Sequence, residues 1–193
     1  MKAIAVFCGS STGKNENYKK QAILLGQRLV QKNIDLVYGG AKVGLMGAIA
    51  EAALNEGGKV IGVLPTFLKS KEIAHSELTQ LILVESMHER KTRMHEMSDG
   101  VIALPGGFGT MEELFEMLTW SQLGLHQKPI GILNIDGFYN ALISLLDNMV
   151  EKGLLKPKNR EMLLIDDNID SLLSQMEQYV APYVPKWIDE EDT

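Results

Sequence analysis

Cysteine is nearly missing from this sequence: Cys8 is the only one among 193 residues. One thiol excludes an intrachain disulfide and a cysteine-rich metal site, and it fits a reducing, cytoplasmic setting. Long hydrophobic runs are missing too. No stretch approaches the ~20 apolar residues of a membrane span, so no membrane partner is expected. The opening apolar run, Ala3–Cys8, stops at Gly9-Ser10-Ser11; it is too short for a secretion-signal core followed by a cleavage site. Positive charge is in deficit, with a net charge of −6 and an isoelectric point near 5.3. Nucleic-acid backbones demand clustered Lys and Arg, and no basic strip interleaved with aromatics is present to hold a single strand. No nucleic-acid partner is therefore expected. A small anionic ligand remains compatible, because a pocket needs only a few placed donors.

What is present is an ordinary globular composition, 45% hydrophobic and 23% charged, long enough for one well-buried domain and short for two. Apolar, β-branched runs at Ala3–Phe7, Asp35–Tyr38, Val60–Leu64, Leu81–Val84, Val101–Leu104, Pro129–Leu133 and Met162–Ile165 read as strands. Amphipathic stretches at Glu16–Lys32, Leu45–Glu56, Met87–Met97, Thr110–Leu123, Phe138–Lys152 and Ile169–Tyr179 read as helices. The strands are nearly continuous in apolar residues, as expected when helices cover both sheet faces. This alternation predicts an α/β fold: a Rossmann-like, doubly wound, mainly parallel sheet in a single domain over residues 1–184. The acidic tail 185–193 is expected to fray.

Ligands in such sheets sit at the carboxyl ends of strands, and three glycine- or serine-rich segments fall there: Cys8-Gly9-Ser10-Ser11, Tyr38-Gly39-Gly40 and Pro105-Gly106-Gly107-Phe108-Gly109-Thr110. The last follows a strand and opens a helix. Its glycines let the backbone approach an anion, and the first helical amides remain free to donate beside the positive end of the dipole. Thr110 can cap the helix or turn toward a phosphate oxygen. The loop lacks the Lys-Ser/Thr ending of a P-loop and the G-x-G-x-x-G spacing of a dinucleotide site. Asp136 therefore reads as a turn former before Gly137, and an adenine dinucleotide is not favoured.

Two charges fall on apolar faces. At about 100° per residue, Arg90 lies amid Met87, Met94 and Met97, with Lys91 at the border, while His88, Thr92, His95 and Glu96 read as solvated. An arginine in such a stripe either snorkels or meets a buried anion. In the following helix Met111, Leu114, Phe115 and Leu118 read as the core face. Glu113 shares a second apolar facet with Met117 and Trp120. A helix apolar on two sides suggests a further layer or a second subunit. Glu112 and Glu116 read as a solvated acidic turn that complements the dipole. A phosphate cradle, a poorly solvated carboxylate and an inward arginine suit hydrolysis at an anomeric carbon, whose oxocarbenium-like state a carboxylate stabilises, attacks, or supplies with activated water.

Pro105–Glu113 reads as PGGxGTxxE and Met87–Lys91 as MHxRK. Together these motifs resemble the Lonely Guy family, the cytokinin riboside 5′-monophosphate phosphoribohydrolases, and the resemblance extends over nearly the whole chain. It implies a homodimer that splits AMP-like nucleoside monophosphates into free base and ribose 5-phosphate, with no cofactor and no metal. By position, Arg90 and Glu113 would be the catalytic pair. Gly106, Gly107, Phe108, Gly109, Thr110, Met111 and Glu112 would line the phosphate and substrate site, with Glu72, Lys91 and Thr119 as further contacts. Ser10, Gly40 and Met87 are candidate pocket residues; Ser10 fits a base or ribose contact and a turn role equally. The "lysine decarboxylase" label carried by many relatives has no support in the residues, since no lysine has an evident pyridoxal environment. The main alternative is a nucleotide or cofactor carrier on the same fold, without turnover. Among the remaining residues, His88-Glu89 with His95 fails the H-E-x-x-H spacing. His75 and His126 read as surface or capping residues, and Cys8 as a buried structural thiol.

Overall fold

The computed structural model describes residues 1–69 and 74–182; Glu72 and the tail 185–193 lie outside the described residues. One seven-stranded sheet carries the fold, in the order β4-β3-β2-β1-β5-β6-β7. Its strands are β1 (Ala3–Phe7), β2 (Asp35–Tyr38), β3 (Val60–Pro65), β4 (Gln80–Val84), β5 (Gly100–Ala103), β6 (Ile130–Leu133) and β7 (Leu163–Asp166). Every pairing is parallel, where a mainly parallel sheet was expected.

The long helices are α1 (Glu16–Gln31), α2 (Gly44–Asn55), α4 (Met87–Glu96), α5 (Phe108–Gln122), α6 (Asn140–Glu151) and α8 (Ile169–Gln178). Single-turn helices α3 (Thr66–Lys69) and α7 (Pro157–Arg160) are too short to show an apolar period in sequence. Helix α6, expected from Phe138, begins at Asn140 and is preceded by a 3-10 turn at Ile135–Gly137. There Asp136 takes a left-handed φ of 51°, the turn-forming role expected of it. No helix among the described residues is long and apolar enough to cross a membrane.

Two cores explain the apolar strands. Residues of α1, α2 and α8 bury one face of the sheet, with Leu25, Ile49 and Leu173 against Ile4, Leu36 and Ile102. Met94, Leu114, Met117 and Leu146 of α4, α5 and α6 bury the other. Helix α4 has little apolar surface of its own: its buried residues are Arg90, Lys91 and Met94. Hydrophobic burial therefore docks it weakly, and polar contacts must complete its seat.

From β1 the chain winds outward through β2, β3 and β4, then returns to the other side of β1 to build β5, β6 and β7. That reversal splays the loops after β1 and β5 apart and opens the crevice in which doubly wound sheets bind ligands. Gly9 N donates to Pro105 O at 3.1 Å, and Leu45 N to Gly9 O at 3.0 Å. These bonds hold the two loops and the start of α2 at one edge.

Candidate active site at the sheet switch point

The start of α5 forms one wall of the crevice. Its N-cap is Gly107, which offers no side-chain cap, so Thr110 does not hold the capping position open to it from the sequence. Met111 N makes the first intrahelical bond, to Gly107 O at 3.1 Å. The amides of Phe108, Gly109 and Thr110 therefore have no acceptor within the helix. A Cβ built at Gly107 or Gly109 would meet nothing within 4 Å. Packing inside the protein thus does not account for the missing side chains, and the backbone here is open to close approach. Thr110 is buried and its side chain packs against Gly106.

Arg90 and Glu113 meet across the crevice. Arg90 Nη1 donates to Glu113 Oε1 at 2.7 Å, and Arg90 Nε donates to Val63 O at 3.1 Å. Their side chains are only 10% and 9% exposed, so solvent screens this pair little. Burial pushes the Glu113 carboxyl above the usual range, with Arg90 pulling it back down. The start of α4 is fixed locally by a Ser86 N-cap in an S-x-x-E sequence, with the acid reaching the residue before the cap. Ser86 Oγ accepts from Glu89 N at 3.0 Å, and the Glu89 carboxylate accepts from Glu85 N at 2.8 Å.

A cavity of about 230 Å³ joins these parts, lined by Cys8, Gly9, Ser10, Gly39, Met46, Arg90, Met94, Glu113 and the loop Gly107–Thr110. The expected Arg90, Glu113, Ser10, Gly107, Phe108, Gly109 and Thr110 thus come together. Phe108 stands 96% exposed at the mouth. Cys8 is buried as expected, its thiol pushed far up by burial and by Glu113, against the pull of Arg90. Gly106 faces a second crevice behind the loop, shared with Ser10 and Phe138.

Other expected residues lie elsewhere. Lys91 turns to α5, where it pairs closely with Glu112 and, at 3.0 Å, with Glu116. Glu112 and Glu116 are therefore ion-pair partners rather than a merely solvated turn. Gly40 packs beneath Leu64 with φ +77°, and its neighbour Gly39 lines the cavity instead. Met87 is 40% exposed because it sits in the first turn of α4, past the edge of the sheet. Thr119 is exposed and donates to Phe115 O at 2.7 Å; it borders an apolar groove with Leu118, Leu146 and Met149.

The buried face of α5 is shifted from the expected one and shares only Leu114 with it. Glu113, Leu114 and Met117 are buried, Met111 and Leu118 are half-buried, and Phe115 is 36% exposed. Both facets are apolar, so periodicity alone did not select between them. His95 is not solvated: it is half-buried and packs on Trp120 and His126. His75 and His126 are buried rather than at the surface and cap no helix; each accepts within a turn, from Glu77 N and Lys128 N. Gly39 and Met46 also line the cavity; both belong to the segment Gly39–Gly47, which in sequence reads equally as pocket wall and as tight turn. Neither carries a local signal beyond its place in a glycine-rich segment.

A family model described as "Possible lysine decarboxylase" matches residues 46–176. The Arabidopsis thaliana cytokinin riboside 5′-monophosphate phosphoribohydrolase LOG1 is 49% identical over 93% of this chain and 84% of its own length. The Oryza sativa probable phosphoribohydrolase LOGL9 is 47% identical over 92% and 78%. Among solved structures, the molybdenum cofactor binding protein of Rippkaea orientalis superposes with a TM-score of 0.69. It is 24% identical and is covered over 91% of this chain and 95% of that one, a likeness of fold.

Proposed function

The chain belongs to the family described as "Possible lysine decarboxylase", whose similar curated members are phosphoribohydrolases, and from that membership and the crevice we propose that it hydrolyses the N-glycosidic bond of nucleoside 5′-monophosphates. The products are free base and ribose 5-phosphate, with AMP-like or cytokinin nucleotides as substrates. One observation carries the reading: a buried carboxylate, held by an arginine, stands one turn beyond three unpaired helix amides. Phosphate on Phe108, Gly109 and Thr110 accepts charge-assisted hydrogen bonds of about 1.5–3 kcal/mol each. Glu113 then lies about 6 Å farther along the axis from Gly109 at 1.5 Å per residue, the offset of a sugar C1′ from its 5′-phosphate. Water adds to C1′ as the bond to the base nitrogen breaks, and the departing base takes up a proton. Glu113 serves as nucleophile or as base toward the water, while the Arg90 guanidinium orients it. A carrier for an anion gains nothing from a carboxylate beside the cradle, which favours the enzyme over the carrier.

Chromatography of reaction mixtures tests this. AMP and N6-substituted AMP are expected to yield free base, and the parent nucleosides none. Intact nucleotide at high protein concentration defeats the proposal. In Gly107→Ala the new methyl meets no protein atom within 4 Å, so the melting temperature is expected to hold. The same methyl enters the phosphate space, and KM is expected to rise about tenfold or more, the loss of one charge-assisted contact.

The same reading makes the enzyme a cytoplasmic homodimer. The half-exposed facet of α5 with Phe115 and Leu118, which borders an apolar groove with Met149 and Leu155, supports it, and Thr119 on that face would reach a partner. Light scattering is expected to give twice the 21.4 kDa chain mass; a monomer at micromolar concentration rules the dimer out.

A further inference from the structure

Helices α4 and α5 bring the two charges of the site together, yet α4 has almost no apolar face with which to hold its position. Besides Arg90–Glu113 and the Lys91 bridge, a third contact closes the carboxyl-terminal ends of both helices. The His95 ring, in the last turn of α4, meets Trp120 of α5 edge-on at 5.4 Å and 84°. It lies 4.7 Å from the ring of His126, in the segment after α5. His126 Nε2 donates to Met117 O at 3.0 Å, and His126 Nδ1 accepts from Lys128 N at 3.1 Å. Both ring nitrogens are thus satisfied in the neutral imidazole with the proton on Nε2; a proton on Nδ1 would set donor against donor. His95 Nδ1 is buried with no partner.

The charged groups around the two rings leave a cation no counter-ion. Lys128 Nζ donates to His95 O at 2.5 Å, which puts an ammonium on the same corner. On α4 the Glu96 carboxylate is engaged by Arg93 at 2.9 Å. Before β5, Asp99 accepts from Lys2 N at 2.5 Å and Ala3 N at 3.2 Å. From α5 only Trp120 and the Met117 carbonyl face the pair.

We propose that His95 and His126 form a neutral imidazole brace that positions α4 against α5, and with it the Arg90–Glu113 pair, and that acidification releases the brace. The residues act through the helices and touch no reacting atom. The inference rests on the proposed hydrolase reading for its effect on turnover, but not for the brace itself. Burial above all, then Lys128 and the neighbouring ring, push His95 down to about 3; burial likewise lowers His126. A histidine whose folded value is depressed contributes stability that is complete above about pH 6.5 and drains away as pH falls toward the folded value.

The test uses the full chain carrying Trp187→Phe, so that Trp120 is its sole tryptophan. Nitrogen-15 spectra at pH 6 are expected to show His126 neutral with its proton on Nε2. Trp120 emission is expected to stay flat through neutral pH and to change only as pH falls toward the folded value of His95. His95→Phe keeps the edge-on stack without a titrating group, so the acid transition in Trp120 emission is expected to move down by about one unit or more, while the acid limb of turnover, which Glu113 sets, stays in place. His95→Arg fixes a cation in the stack and is expected to lower kcat about tenfold or more at neutral pH through misplacement of the pair. A His126 midpoint near that of a free imidazole, or a His95→Phe chain that titrates like its parent, overturns the brace. If that variant does not fold, the His126 spectrum of the parent decides. Should the parent turn over no nucleotide, the emission and nitrogen arms still judge the brace, so the two failures remain distinct.

Discussion

Replacing Glu113 by Gln is expected to lower kcat about a hundredfold or more, the usual cost of losing a general acid-base or nucleophilic carboxylate. The amide keeps an acceptor for Arg90 Nη1, so the 2.7 Å contact has an isosteric replacement and the pocket keeps its shape. Charge is what disappears. Arg90 is then left with no counter-ion at 10% side-chain exposure. The lost ion pair is offset by the burial cost that the carboxylate no longer bears, a cost that also raises its folded value. Thermal melts are therefore expected to hold, and ribose 5-phosphate still protects the folded state, since the α5 amides are unchanged. The pH dependence carries the same signature. Glu113 has a folded value raised above its ordinary 4.5, so the folded chain holds that proton to higher pH than the unfolded chain. Its contribution to stability is greatest below the unfolded value and declines as pH rises through the folded one. If the carboxylate works ionised, the acid limb of kcat/KM lies above 4.5 in the parent. Parent-like rates in the variant would remove Glu113 from the chemistry.

The features legible in the sequence were those set by local pattern. Both-face burial made the strands nearly uniform in apolar residues, and the glycine loop announced a strand-to-helix turn with free amides. Arg90 stood out because an arginine amid methionines has few resting places, and the ion pair with Glu113 is one of them. What stayed hidden depends on which parts meet in space. Leu114 and Met117 bury one facet of α5 while Met111, Phe115 and Leu118 stay half-covered, and a helix apolar on two sides gives no local cue to the one that faces the sheet. Glu112 looked like a dipole complement until Lys91 of another helix took it up. His95, Trp120 and His126 share no period and no motif, so their stacking emerges only once α4 and α5 lie side by side. The weak apolar face of α4 was the available hint: a helix so polar must be seated by specific contacts.

Gly39→Ala is the second change expected to have a large effect, and its cause lies wholly in one such spatial meeting. A Cβ at this position would stand 2.0 Å from Arg90 Nη2 and 3.0 Å from Met46 Sδ. The first distance is too short for any rotamer of Arg90 that keeps its present contacts, and the second asks Met46 to give slightly. The guanidinium has no slack, because Nε is tied to Val63 O at 3.1 Å and Nη1 to Glu113 at 2.7 Å. Gly39 does not have a positive φ, so the backbone accepts alanine and the conflict is purely steric. Either the strand end shifts or Arg90 leaves its carboxylate. Overpacking of this kind costs about 1–3 kcal/mol in stability, whereas an ångström of misplacement at the reacting groups costs about a hundredfold in rate. The activity loss should therefore far exceed what the melting temperature implies. Gly107→Ala supplies the contrast, since its methyl meets open space and acts on KM instead. Assaying kcat and KM of both variants beside their thermal melts separates the two roles. A Gly39→Ala enzyme with unchanged kcat would mean that the arginine can work from another position, and that the tight seat beneath it is not what sets the rate.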